Sequence, residues 1–573
     1  MFRLATPQNT SRAVPQRGDV SPLQMPFKGL DARSPLAGMS PDHAIALENV
    51  LVETFGLRTR KGYTEYATGL PEEDVPVSTL MVYYPPDGSI EPSGAAGAGS
   101  PLLNIVLAQI YVPAIPGNIA PPMHLFAAQD GDIFDVTGGG TGPFSPEAGV
   151  SGGSDFWTWI NFQNVAGNFL LTTNDDGGYA IFDGVSWVMP IAGAGAGEID
   201  GVDPANLVFI MEWKERVFFI EKESTSAWYL DVDAITGPAT EFDFGAQFAH
   251  GGYLAALANW TIDSGNGIDD RLIAVGSQGD VVIYEGTDPD DPTKFLKIGT
   301  YYVGPLPRGR RAVLGSGGDV YILTQFGVMP VSRLQSSARE PVDAQAHLSY
   351  RVDPLLARLM QLYAAYDGWS ISVLAREELL LIQLPPELRS PGGNFLAYKT
   401  TTQGWSLLYD TRYACLATLD NQIFAGTYDG RVVSAFNGSL DNVLLATPET
   451  GDPILSRVIP AFQPIRGPGR TKEILMIRPV FLTVKRPKLN FRILTDYGAV
   501  GLLTTPTIPG VLNSYWDDGL WDVAIWSGLQ TPIKEWLGAR GTGFVATVEL
   551  LYSAGGDTVL MSTDFWTGVG GVL

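Results

Sequence analysis

The chain has 573 residues, with 37 Lys and Arg against 61 Asp and Glu, a formal net charge of −24. That balance excludes a general nucleic-acid binder, because such binding is driven by neutralising phosphates. It leaves open a wall along which DNA slides, since an acidic lumen repels phosphate and does not retain it.

In chain order, residues 1–25 are polar, proline-containing and slightly basic, and read as a flexible N-terminal arm. They hold no apolar core of signal-peptide length, and no run of the chain approaches the ~18 apolar residues that span a membrane. A soluble protein made in a reducing cytoplasm is expected. Residues 26–75 read as a segment that closes a ring. Ser40-Pro41 has the form of a helix start, followed by Ala44, Ile45, Leu47 and Val50. Leu57 to Tyr66 has strand character with a break at Lys61-Gly62, and one strand from this region is expected to complete the last blade, leaving no free edge.

Residues 76–445 read as a β-propeller-like platform of about six or seven irregular blades. Its clearest signal runs from Arg271 to Leu334. Leu272, Ile273 and Val275 turn at Ser277-Gln278-Gly279 into Val281 to Tyr284, and Val320 to Leu323 turn at Thr324 to Gly327 into Val328, Met329 and Val331. β-Branched and aromatic residues flanking a glycine turn mark a hairpin. Two copies about fifty residues apart mark a repeat. The same form recurs at Gln129-Asp130-Gly131, at Asp175 to Gly178, at Tyr428-Asp429-Gly430 and in the pairing of Val217–Ile220 with Ala227–Leu230. Leu102 to Val112 reads as a further strand. The glycine-rich stretches 88–100 and 137–154 read as mobile loops. Neither opens a helix after a strand, so neither reads as a phosphate cradle. One short helix is expected at 354–366, capped by Asp353 with Pro354 in its first turn. It reads as packed on a sheet, with subunit contact as the sharper alternative.

Residues 446–573 read as a second, β-rich domain. Between 457 and 492 lie Arg457, Arg466, Arg470, Lys472, Arg478, Lys485, Arg486, Lys488 and Arg492 against the single acid Glu473. Alternation through Ile474 to Val484 places these charges along one sheet face. Arg466, Arg470, Lys472, Lys485, Arg486 and Lys488 are the candidate DNA or partner contacts. Two readings stand: a salt-bridged face meeting acidic surfaces of neighbouring copies, or a surface touching DNA phosphate. Trp516, Trp521, Trp526 and Trp536 read as core or interface anchors.

Catalytic patterns are sparse. His43, His124, His250 and His347 stand singly without metal spacing, and no G-x-S-x-G nucleophile motif occurs. A Ser-His-Asp group assembled in space is not excluded by sequence. Asp263, Asp269, Asp270, Asp288, Asp290 and Asp291 lack the alternate spacing of a calcium loop and read as solvated acidic turns. Cys415 is the single cysteine, which excludes an intrachain disulfide and a thiol metal cluster. No cofactor, metal or catalytic residue is assigned.

Three stretches carry a family resemblance: VGPLPRGRRAVLGSGGDVYILTQFGVMPVSRL, GWSISVLAREELLLIQLPP followed by YKTTTQGWSLLYD, and CLATLDNQIFAGTYDGRVVSAF. With IALENVLVETFGLRTRKGYTEYATGL and AFQPIRGPGRTKEILMIRPVF, they resemble the tail nozzle, or tail hub, proteins of short-tailed bacteriophages over roughly half the chain. The resemblance implies a propeller platform with an added β-rich nozzle domain in the virion. It implies a ring of copies, a hexamer by the family pattern, below a head-tail adaptor protein, carrying tail fibres or spikes around a channel for packaged DNA. Only 17% of residues are charged, which suits a large permanent interface. The alternatives from other classes are a β-propeller that binds or degrades glycans and a free cytoplasmic scaffold.

Overall fold

A computed structural model describes residues 18–72, 74–85, 123–150, 153–263, 268–336, 347–386, 394–447, 450–465, 471–499 and 530–569. Among them, seven small antiparallel sheets follow one another along the chain, and each is an expected blade. Their innermost strands are Thr79–Tyr83, Trp157–Asn164, Leu207–Trp213, Leu254–Asp263, Val313–Ser316, Ser370–Leu374 and Tyr413–Leu419. From sheet one to sheet six, and again from sheet seven to sheet one, innermost strands pack on one another. Sheets six and seven meet through Leu379, Phe395, Tyr413 and Ile423. Seven sheets arranged radially and closed on themselves form a β-propeller.

The hairpins read from the sequence are second-to-third strand pairs of these sheets. Leu272 lies opposite Tyr284 and Val275 opposite Val281 in sheet four, and Leu323 lies opposite Val328 in sheet five. The turn at Gly279 requires glycine. Its φ is +94°, and a Cβ there would lie 2.1 Å from the Gly304 carbonyl oxygen.

The ring is closed as expected. Tyr63–Thr68 pairs with Val432–Ala435 as the outer strand of sheet seven, Tyr63 opposite Ala435. The rest of the N-terminal segment does something else. Asp19–Leu23, expected to lie in a flexible arm over 1–25, is a strand pairing with Thr558–Val569, and residues 1–17 lie outside the described residues. Ala44–Glu48 pairs with Asp452–Pro460, and Gly56–Thr59 with Thr558–Val569. The N-terminal segment therefore builds the second domain as well as closing the first. The helix expected after Ser40-Pro41 is replaced by a turn, His43 N–H donating to the Ser40 carbonyl at 3.0 Å, and then by the strand. Serine followed by proline serves a β-turn as well as a helix start. Here the edge of Asp452–Pro460 satisfies the backbone that a helix would have satisfied internally.

The second domain is a two-layer sandwich. One layer holds Ala44–Glu48, Asp452–Pro460, Ala546–Ala554 and Lys488–Thr495; the other holds Asp19–Leu23, Gly56–Thr59, Thr558–Val569, Lys472–Thr483 and Leu537–Gly543. Leu47, Val50, Ile477, Phe481, Phe491, Val548, Leu550 and Phe565 fill the space between. The first layer continues into the propeller, because Glu48 bridges in parallel to Leu407 at the outer strand of sheet six.

The glycine-rich stretch 137–154, expected as a mobile loop, carries strands. In it, Pro146–Gly149 is the outer strand of sheet one, and Gly140–Thr141 pairs with Ala67–Thr68. Its backbone finds a ladder partner despite the composition. The stretch 88–100 and the strand expected at Leu102–Val112 lie outside the described residues, as do Trp516, Trp521 and Trp526.

The helix spans Asp353–Tyr363, starting one residue earlier and ending three residues earlier than the expected 354–366, with Val352 and not Asp353 at its N-cap. It ends where the Trp369 indole N–H takes the Tyr363 carbonyl, at 2.9 Å. Leu356, Leu359 and Met360 bury its inner face against sheets five and six, while Leu362 is exposed. Asp353 is buried in the first turn and accepts from Ser349 Oγ at 2.6 Å, with His347 Nδ1 at 2.9 Å and Arg33 at 3.2 Å. Ser349 Oγ in turn accepts from Val328 N–H at 2.7 Å. Replacing Asp353 by alanine strands these buried groups, and a loss of about 2–4 kcal/mol in denaturant unfolding is expected.

Candidate functional site

The basic residues of 457–492 do not share one face. Lys472–Thr483 and Lys488–Thr495 belong to opposite layers of the sandwich, so their charges point to different sides. Of the seven that are described, four are held by acids of the same chain. Arg457 and Arg492 both donate to the buried carboxylate of Glu549, and Arg457 also reaches Glu48 at 2.9 Å. Arg478 pairs with Asp564 at 2.8 Å and lies over the Trp536 ring, 4.8 Å from its centroid. Arg486 pairs with Glu535 at 2.8 Å. Lys472 is buried, its Nζ donating to the Phe544 carbonyl at 3.2 Å, and burial lowers its pKa. Lys485 and Lys488 are exposed. Arg466 and Arg470 lie outside the described residues. Ion pairs within the chain account for the alternation that the sequence shows.

Lys485 lines a cleft of about 450 Å³ where propeller and sandwich meet, with Arg58, Lys61, Leu440, Gly556 and Asp557. The chain crosses between the domains here, through Arg60, Lys61 and Gly62. A Cβ at Gly62 would lie 1.8 Å from the Leu440 carbonyl oxygen, so only glycine passes. Arg60 is 3% exposed. Its guanidinium forks onto Asp441, at 2.7 and 2.6 Å, and its Nε donates to Asn49 Oδ1 at 3.0 Å. Asn49 also donates to the Leu455 carbonyl and accepts from Tyr409 N–H. Neighbouring cations are occupied too: Arg58 by Glu53 and Asp557, Lys61 by Glu377. The cleft is a cross-linked joint between two domains.

The second charged group lies at the propeller axis. Arg310 and Arg311 precede the innermost strand of sheet five. Arg311 donates to the Ser78 carbonyl at 2.7 Å, to Thr79 Oγ1 and to the Trp157 carbonyl at 3.1 Å. Those residues begin the innermost strands of sheets one and two, on the far side of a ring of seven, so the side chain crosses the axis. Arg310 donates to the carbonyls of Leu254 and Ala255, at 3.0 and 3.2 Å, where sheet four begins. Phe156 lies under Arg311 and Tyr253 under Arg310, at 5.0 and 5.6 Å from the ring centroids. Asp175, in the second-to-third strand turn of sheet two, donates its N–H to the Phe156 carbonyl. Burial pushes its carboxyl up to about 6, although Arg310 and Arg311 act the other way. Burial also lowers both arginine pKa values.

Each of the four histidines has an aspartate at Nδ1: Asp42, Asp135, Asp280 and Asp353. Sequence spacing hid three of these pairs, since the partners meet only across strands and turns. Ser349, His347 and Asp353 do come together, but serine and histidine both turn to the same carboxylate. No serine proton is offered to the imidazole, so the group ties the helix and does not form a nucleophile relay. Cys415 is buried, and burial pushes its thiol up to about 12, far from a reactive thiolate. Asp270, Asp290 and Asp291 hold Lys214, Tyr229 and Lys294. Among the described residues, no three His, Cys, Asp or Glu side chains gather as a metal ion needs, and no helix is long and apolar enough to cross a membrane.

No family model and no curated protein matches the chain. Over 55% of its length it is similar to the solved structure of YCF48 bound to D1 peptide, at 10% identity, with 87% of that chain covered and a TM-score of 0.31. It is similar to BBS1N in complex with ARL6DN at 10% identity, 88% coverage of that chain and a TM-score of 0.34. A nidogen/laminin complex aligns at 9% identity, 99% coverage of that chain and a TM-score of 0.28. These scores are below those at which a shared fold follows, and the propeller is defined by the sheets themselves.

Proposed function

We propose that the chain is a virion structural protein: the nozzle subunit of a short phage tail, which extends the head-tail channel, retains the packaged genome and releases it into the host. The observation that carries this reading is the body plan. A closed propeller is joined through a continuous sheet and a buried Arg60–Asp441 pair to a second β-domain. A rigid two-part platform of that form suits a particle component, and it is the form that the family resemblance implies. Arg311 spans the axis of the single ring, so the conduit in this reading surrounds an axis shared by several copies, a hexamer by the family pattern. Its partners are the adaptor above, fibres or spikes outside and DNA passing through. Sedimentation equilibrium of the full chain tests self-assembly: a closed oligomer of several copies is expected, and a monomer at all concentrations, alone and with tail particles, overturns it.

A glycan-binding or glycan-degrading propeller is the second reading. The arginine, carboxylate and aromatic group at the axis favours it, and depolymerisation of surface polysaccharide by the isolated protein tests it.

A further inference from the structure

We propose that the axial end of the propeller where the innermost strands begin is a binding site for a compact oxyanion, held by Arg310 and Arg311 beside Asp175. The inference does not rest on the tail reading. The hydrogen-bond acceptors of both guanidinium groups are neutral: the carbonyls of Leu254, Ala255, Ser78 and Trp157, and the Thr79 hydroxyl. Neutral acceptors satisfy N–H groups without cancelling charge. The nearby Arg308 is matched by Asp367 at 2.9 Å, but among the described residues neither Arg310 nor Arg311 is in an ion pair. Arg310 is 8% exposed, and a charge so placed is costly unless an opposite charge reaches it.

Asp175 is the carboxylate whose charge acts on both. It forms no ion pair with either, and its own ionisation is opposed by burial. Two cations therefore face one carboxylate, which is neutralised as pH falls through about 6. Arg310 uses only Nη1 in its bonds to the carbonyls. Its Nε and Nη2 make no hydrogen bond among the described residues, and together they form the planar fork that grips a carboxylate, sulfate or phosphate. Asp175 is half-buried, so the group is reached from solvent on its side. The faces of Phe156 and Tyr253 wall the site.

Isothermal titration of the full chain with sulfate, against sodium chloride of matched ionic strength, is the test. Saturable binding of one sulfate per chain is expected. Asp175→Asn removes the competing negative charge and tightens binding by about tenfold. Arg310→Lys keeps a cation and loses the fork, weakening binding by at least about tenfold. Sulfate keeps its charge, so affinity rises as pH falls through about 6, where Asp175 protonates facing Arg310, Arg311, Asp176 and Asp367. A parallel titration with glucuronate separates the two sources: tighter binding than sulfate marks the anionic group of a sugar, and weaker binding marks a free inorganic ion. The proposal is overturned if sulfate heats match chloride, or if Asp175→Asn leaves the affinity unchanged. The second criterion holds even where Arg310→Lys fails to fold.

Discussion

Replacing Arg60 by alanine is expected to cost about 3–5 kcal/mol of stability, read as the shift of the thermal and denaturant transitions. Arg60 is buried where the chain leaves the sandwich and enters the propeller. Its removal leaves Asp441 as an uncompensated, largely buried carboxylate and takes a donor from Asn49. Asn49 ties Leu455 of the sandwich to Tyr409 of sheet six, so the loss falls on the joint itself. The paired substitution Arg60→Met with Asp441→Leu removes both charges and should lose clearly less than the single changes. A single-variant cost under about 1 kcal/mol, the range of an exposed pair, would show that the joint is not held this way.

Tyr63→Ala comes second, with an expected loss of about 3–5 kcal/mol. Tyr63 opens the strand that closes the ring, is 1% exposed and meets Tyr413 edge to face at 5.6 Å. It packs with Leu51, Val433 and Ala435, so the cavity opens at the seam between the N-terminal strand and sheet seven. Hydrogen exchange gives the sharper readout. Amides of Tyr63–Thr68 and Val432–Ala435 should exchange faster, while Leu254–Asp263 and Asp280–Gly286 of sheet four keep their protection. Uniform loss of protection around the ring would mean that the seam is not a separate unit of stability.

The blades were legible because their signal is local. In Leu272–Tyr284 a buried hairpin needs β-branched residues on both arms and a glycine turn, all within thirteen residues of sequence. Ring closure was legible for the same reason: Tyr63–Thr68 reads as a strand behind a glycine break. The other N-terminal strands were not. Ala44–Glu48 is helical or extended according to what lies beside it, and its partner Asp452–Pro460 is some four hundred residues away. The basic stretch misled for a related reason. Alternation gives the faces of one strand, and the two layers of a sandwich face opposite ways. Glu549, which collects Arg457 and Arg492, carries no mark in sequence.

The axial group left a faint trace. Arg308, Arg310 and Arg311 crowd directly before the buried strand Val313–Ser316, where charge is unusual. Nothing local ties them to Asp175, more than a hundred residues earlier. Only the closed ring brings the two together, and with them the acceptors on sheets one, two and four.

Negative-stain imaging of the full-length protein, alone and mixed with tail particles that lack it, tests the central claim most directly. Closed rings of several two-lobed subunits around an open shared axis, seated at the tail tip of the particles, are predicted. Solitary two-lobed monomers that never join a tail would contradict it.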